Sequence, residues 1–233
     1  MPDPLSYRRL IGRLLYLAST RPDISFLVQQ LSPFMANPTQ IHFQAAMRVL
    51  KYLKGCPSKG LLFRRDSLVH ILGFSDADWA TCTDSHQSIT GYCLFIGSSL
   101  VSWKTKKQHT VSISSFEAEY WAHASTTCEL QWLIYLLSDL QISCLKQPIL
   151  YCDNQSALHI AVNLVFHERT KHLEIDCHLV REKAQTGLMR LLHVSSSNQL
   201  VDMFTKALSP RLFTINLSKL KLHDIHTPPT CGG

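Results

Sequence analysis

Apolar residues recur at helical spacing near the start of the chain and at strand spacing further on. Ile11, Leu14, Leu15 and Leu17, then Ile24, Leu27, Val28 and Leu31, then Ala46, Val49, Leu50 and Leu53 each fall on one helix face. The pattern predicts helices from Leu5 to Ser19, Pro22 to Met35 and Pro38 to Leu53, the first two split by Thr20-Arg21-Pro22, since proline suits a first helical turn and ends what precedes it. After residue 66 the texture changes. Runs of β-branched and aromatic residues predict strands at 69–76, 89–96 and 100–104, the last two joined by a hairpin at Gly97-Ser98-Ser99. A long helix is expected from Phe116 to Leu137, then a strand in PILYCD (148–153), helices at 154–162 and 168–186, a strand from Leu188 to Val194 and a helix from Gln199 to Ala207. This order gives an α/β class: a mixed five-stranded sheet with flanking helices, preceded by a small helical segment.

Composition narrows the function classes. The chain has 233 residues, 45% of them hydrophobic, enough for a real core. With no apolar run of 18 residues and no signal-like start, neither membrane span nor secretion is expected, and the protein reads as intracellular, cytoplasmic and nuclear being equally open. Its 8 cysteines are irregularly spaced without a C-x-x-C pair, which argues against a zinc site or disulfide framework. Residues 1–66 carry ten Lys or Arg against three Asp, whereas residues 67–233 carry thirteen against fourteen acidic residues. A basic face on the first segment fits a polyanion partner or plain solvation.

Candidate chemistry lies in carboxylates at strand ends. FSDADWA (74–80) closes one strand on Asp76, and PILYCD closes another on Asp153. In open α/β sheets functional groups collect beyond the carboxyl ends of strands, so parallel neighbours bring these two to one edge. In Ser114-Ser115-Phe116-Glu117-Ala118-Glu119 the two glutamates point apart on a helix. Ser114 and Glu117 fit a capping box, with Glu117 reaching back to the Ser114 amide, which leaves Glu119 for the site. Asp202, opening the last predicted helix, is the fourth carboxylate. Clustered Asp and Glu suit hard cations, and two such ions about 4 Å apart can activate water and stabilise a leaving oxygen in phosphodiester cleavage.

FSDADWA, ITGYCLFIGSSLVSWKTKKQHTVSISSFEAEY, LYCDNQSA, FHERTKHLEIDCHLVREK and HVSSSNQLVDMFTKAL together resemble the ribonuclease H domain of copia-type retrotransposon Pol polyproteins. The similarity runs through residues 67–210 in the family's order. YRRLIGRLLYLASTRPDISF and HFQAAMRVLKYLKG resemble the helical thumb and connection of reverse transcriptase (residues 1–66), and residues 211–233 form a C-terminal tail whose HDIHTPPTCGG resembles a Pol end. The resemblance implies a ribonuclease H that cuts the RNA strand of RNA/DNA hybrids. It assigns metal ligation to Asp76, Glu119, Asp153 and Asp202, with two Mg²⁺ ions (or Mn²⁺) as cofactor and the other Pol domains as partners. Lys104, Lys106, Lys107, Asn154 and Gln155 are the candidates for nucleic-acid contact, and neither zinc nor a membrane is expected. Phe116 stands where the family usually has threonine, which bears on substrate contact. The chain contains no Asp-Asp dipeptide, so the family's polymerase motif is missing and reverse transcription is not expected of it.

Several residues keep two readings. His193 is either a proton-transfer and product-release group, as in related ribonucleases H, or a loop histidine. Asp78 is a turn residue or an extra metal contact, and the lysines of the basic turn 104–107 touch phosphate or only water. Trp79 and Trp103 are expected in the core. His167, His172 and His178 are not on one helical face, so the segment His167 to His172 reads as solvated or facing nucleic acid rather than holding zinc. The alternative to an enzyme is a non-catalytic transposon remnant that keeps the fold and binds nucleic acid. An integrase of the same superfold would order its acids Asp, Asp, Glu, whereas here the glutamate comes second.

Overall fold

The computed structural model describes residues 3–144, 146–155, 174–224 and 226. Contacts divide the chain into two units, Met1–Leu62 with Ser209–Gly233, and Phe63–Leu208. The first unit opens with α1 (Pro4–Leu17), which starts where it does because the Asp3 carboxylate accepts from the amides of Leu5 and Ser6, both at 3.1 Å, and proline takes the first turn. The predicted second helix is instead a 3₁₀ turn (Pro22–Ile24), α2 (Ser25–Leu31) and another 3₁₀ turn (Ser32–Met35), because Pro33 has no N–H with which to continue α2. After α3 (Gln40–Gly55) comes the short strand β1 (Lys59–Leu61). Tyr7, Ile11, Leu14, Ile24, Val28, Leu31, Ala46 and Val49 from the three helices form one buried core. Arg21 is buried against Asp23 at 2.7 Å and donates to the Cys56 carbonyl, fixing the bend between α1 and α2.

The second unit is built on β2 (Ile71–Asp78), β3 (Ile89–Ile96), β4 (Ser99–Lys107), β5 (Ile149–Cys152) and β6 (Arg190–His193), in the order β4-β3-β2-β5-β6. β2, β3 and β4 form an antiparallel meander, and β5 and β6 extend it in parallel from β2. This is the mixed five-stranded α/β sheet implied by the ribonuclease H resemblance. The β3–β4 turn needs Gly97, whose φ of +59° favours a residue without Cβ. Helices α4 (Ser115–Asp139) and α5 (Glu174–Gln185) pack with the sheet around Ile71, Leu94, Tyr120, Leu130, Leu150, Val180 and Met189.

Three expectations differ here. The strand expected at 69–76 runs on to Asp78, because pairing with β3 continues to Asp78↔Ile89, so Asp76 lies inside the strand and Asp78 on it rather than in a turn. The sheet strand predicted at 100–104 runs through Lys107, so Lys104 to Lys107 lie on β4 rather than in a turn, because pairing with β3 continues to Ile89↔Lys107. The predicted helix Gln199–Ala207 shrinks to α6 (Asp202–Thr205), with a 3₁₀ turn (Ser196–Asn198) before it. Gln199 has extended backbone, and its buried amide donates to the Ser75 carbonyl at 3.0 Å instead of facing solvent on a helix.

The described part of residues 211–233 joins the first unit. It contributes α7 (Pro210–Lys219) and β7 (Leu222–Asp224), which pairs antiparallel with β1 in the register Lys59↔Asp224. Phe213 meets the Tyr52 ring edge-on at 5.8 Å. Among the described residues no helix is long and apolar enough to cross a membrane.

Candidate metal centre

Along β2 alternate side chains take opposite faces. Ser75 meets His123 of α4, and Ala77 packs with Ala118 and Ala122, while Asp76 turns to the other side, towards α6. The parallel neighbour β5 stops at Cys152, so Asp153 emerges at the same sheet edge. α4 begins at that edge and presents Glu119 from its second turn. One carboxylate oxygen from each of Asp76, Glu119 and Asp153 lies within 4.8 Å of the others. Asp76 is 2% and Glu119 6% exposed. Burial, with Asp76 and Asp153 alongside, pushes the Glu119 carboxyl well above its ordinary range, against a backbone hydrogen bond at Ala77 and the charge of Lys206. Glu119 Oε2 is buried and finds no hydrogen-bond partner. An orphaned carboxylate oxygen within an all-oxygen donor set fits a hard divalent cation such as Mg²⁺.

Asp202 is joined to this group through a lysine. Lys206 Nζ lies 2.6 Å from Asp202 Oδ1 and 3.2 Å from Asp76 Oδ2, and Thr205 Oγ1 donates to Asp76 Oδ2 at 2.6 Å. Burial works against the Lys206 ammonium, but Asp76 and Asp202 outweigh it and raise its pKa, so the cation stays charged. Burial raises the Asp202 carboxyl, opposed by Lys206. Asp78 feels the same cluster: burial lifts it, Lys206 lowers it, and Asp76 and Asp202 lift it again. Asp153 is held by Ser196 Oγ at 3.2 Å and Gln199 Nε2 at 3.5 Å.

No protein-family model matches the chain. The Retrovirus-related Pol polyprotein from transposon RE2 of Arabidopsis thaliana is 45% identical over 233 residues, covering 100% of this chain and 16% of the relative. That from transposon RE1 of the same plant is 44% identical over 230 residues, covering 99% and 16%. The chain belongs to the copia-type Pol polyprotein family. It spans about 16% of the length of these Pol relatives. The solved structure of LC11-RNase H1 matches this Pol segment with a TM-score of 0.47 at 11% identity, over 59% of this chain and 94% of that one.

Elsewhere in the Pol segment, His193 ends β6 exposed, paired in register with Cys152, the residue before Asp153. Lys104 and Lys106 alternate on one exposed side of β4, and Lys107 reaches Ser85 Oγ at 3.4 Å. All three line one cleft with Thr90, Gln108, His109, Trp121 and Ser125. Asn154 follows Asp153 half-buried, its amide donating to Cys152 Sγ at 3.2 Å, and Gln155 is exposed. Trp79, expected in the core, is 46% exposed because β2 ends at Asp78, and its indole N–H donates to the Ser112 carbonyl. Trp103 is half-buried on β4. His178 is exposed, 3.9 Å from Glu182, while the segment His167 to His172 lies outside the described residues. The sequence reading did not single out Thr205, Lys206, Ser196, Gln199 or His123. Only Lys206 carried a signal, its i,i+4 spacing from Asp202.

Ser114 caps α4 by accepting from the Glu117 amide at 3.2 Å, but Glu117 Oε2 accepts from Ile113 N at 2.6 Å rather than from Ser114. The chain enters the helix with the earlier amide facing the carboxylate. Ser114→Ala should cost about 1 kcal/mol in chemical denaturation; an unchanged midpoint would remove the cap from the account.

Proposed function

We propose that residues 63–208 form a divalent-metal-dependent endonuclease that cleaves the RNA strand of RNA/DNA hybrids, the ribonuclease H part of a Pol polyprotein. The observation that carries this reading is the convergence of Asp76, Glu119 and Asp153 within 4.8 Å around an unpartnered Glu119 oxygen, in a Pol family member. These three would hold one Mg²⁺, or Mn²⁺ in its place, and Asp76 with Asp202 would hold a second once Lys206 yields its place between them. Bound ions supply activated water and stabilise the charge growing on the leaving oxygen. Lys206 keeps Asp76 and Asp202 neutralised and aligned before metal arrives. Ser196 and Gln199 orient Asp153. His193, at the same sheet edge, is assigned to proton transfer during product release. Lys104, Lys106 and Lys107, with Asn154 and Gln155, are assigned to nucleic-acid contact. Selection of the RNA strand follows from its 2′-hydroxyls and A-like minor groove. The other Pol domains are the partners in an intact element, and polymerase activity is not assigned to this chain because it has no Asp-Asp dipeptide.

The test is a gel assay on labelled hybrid. Mg²⁺ should produce RNA fragments, chelator or Asp76→Asn should stop them, and duplex DNA should stay intact. Binding should weaken as salt rises, through counterion release. Hybrid binding without any cleavage would favour the alternative, a non-catalytic remnant; equal cutting of duplex DNA would refute the substrate assignment.

A further inference from the structure

Glu119 belongs to a second cluster that the nuclease chemistry does not use. His123 lies one turn further along α4 on the same face, and Cys152 is the last residue of β5. One ligand atom from each of Glu119, His123 and Cys152 lies within 4.8 Å of the other two. All three side chains are deeply buried: His123 is 2% exposed, Cys152 0% and Glu119 6%. Two of them carry orphaned polar atoms, His123 Nε2 and Glu119 Oε2. The other ring nitrogen, Nδ1, is hydrogen-bonded to Ser75 Oγ, and Tyr120 meets the ring edge-on at 6.2 Å. An imidazole anchored through one nitrogen, with the other free, is the arrangement by which proteins orient histidine ligands to metals.

We infer that Glu119, His123 and Cys152 form a zinc site that shares Glu119 with the carboxylate triad. Sulfur, nitrogen and oxygen donors together suit zinc, whereas Mg²⁺ takes oxygen and keeps its waters. Three protein ligands leave a fourth position open. Glu119 is common to the two groups, so its carboxylate would serve both. The absence of any C-x-x-C pair excludes only sites built from local spacing; here the thiol comes from a strand 29 residues beyond His123 and 33 beyond Glu119. The site stands apart from the nuclease reading, since metal retention is measured without cleavage.

Chelator-stripped full-length protein is dialysed against ZnCl₂ with excess MgCl₂, then against metal-free buffer, and zinc is counted by atomic absorption. Wild type should retain about one zinc equivalent that His123→Leu and Cys152→Ala each lose. Loaded with Co²⁺ instead, wild type and Cys128→Ser, a change at an exposed free thiol, should show thiolate-to-cobalt charge-transfer absorption that Cys152→Ala lacks. Circular dichroism checks folding. If His123→Leu does not fold, the Cys152→Ala comparison decides. Equal zinc in wild type and Cys152→Ala, or cobalt binding without a thiolate band, would overturn the inference.

Discussion

Glu119→Gln should abolish Mg²⁺-dependent hybrid cleavage and, in chelator at neutral pH, raise the melting temperature. The two effects share one cause. Glu119 is 6% exposed beside Asp76 and Asp153, and its folded pKa is lifted well above the ordinary 4.5. For an acid raised on folding, stability is fully present below the unfolded pKa and is lost as pH rises from there towards the folded value. The unfolded chain releases its proton first, so the metal-free protein loses up to about 1.4 kcal/mol per pH unit through this window. Glutamine removes that loss along with the charge that a cation needs. The melting advantage of the variant should therefore shrink as pH falls towards the ordinary carboxyl value and should also shrink when Mg²⁺ is added to the wild type, since a ligand that binds only the folded state stabilises it. Glu117→Gln supplies the contrast: it keeps an acceptor for the Ile113 amide, so cleavage should survive. Loss of cleavage in Glu117→Gln with retention in Glu119→Gln would reverse the roles given to the two glutamates.

How much of this was legible in the sequence depends on the range of the interaction. The strand Ile89–Ile96 was readable to the residue because its β-branched and aromatic run ends at a glycine turn. Asp153 is legible as a strand-end carboxylate, whereas Asp76 lies two residues inside β2; helical periodicity lets only one of Glu117 and Glu119 face the site, and the cap at Ser114 points to Glu119. What escaped was long-range or very short. β1 and β7 have three residues each and pair across most of the chain's length, too little pattern for a local reading. Lys206 near Asp202 is a local fact, but its approach to Asp76 spans the whole second unit. The helix expected at Gln199–Ala207 begins only at Asp202: Gln199 has extended backbone, and its side-chain amide is held by the distant Ser75 carbonyl, tertiary context that helix propensity does not register. Likewise nothing near His123 in sequence announces that Cys152 and Ser75 lie beside it.

Gly91→Ala should damage both stability and metal-dependent cleavage, although residue 91 bears no functional group. Gly91 pairs directly with Asp76 across β2 and β3, so the two share a face of the sheet, the one on which α6 rests. A Cβ built on Gly91 would lie 2.7 Å from Val201 Cγ1, 2.7 Å from Thr205 Cγ2 and 3.1 Å from Phe204 Cβ. Val201 and Thr205 are β-branched, so their χ1 angles cannot swing freely to make room. The remaining relief is displacement of α6, which carries Thr205 Oγ1 and Lys206 Nζ away from Asp76. Overpacking of this kind costs about 1–3 kcal/mol, and the concentration of Mg²⁺ needed for half-maximal cleavage should rise as Asp76 and Asp202 lose their alignment. Gly73→Ala separates packing from site geometry. Gly73 lies three residues before Asp76, and its Cβ would meet Leu94 Cδ2 at 2.8 Å and Leu150 Cδ1 at 3.1 Å, the ends of flexible side chains. That variant should melt lower while keeping the wild-type Mg²⁺ dependence. If Gly91→Ala also keeps it, α6 does not set the geometry of the carboxylates, and Asp202 drops out of the proposed metal centre.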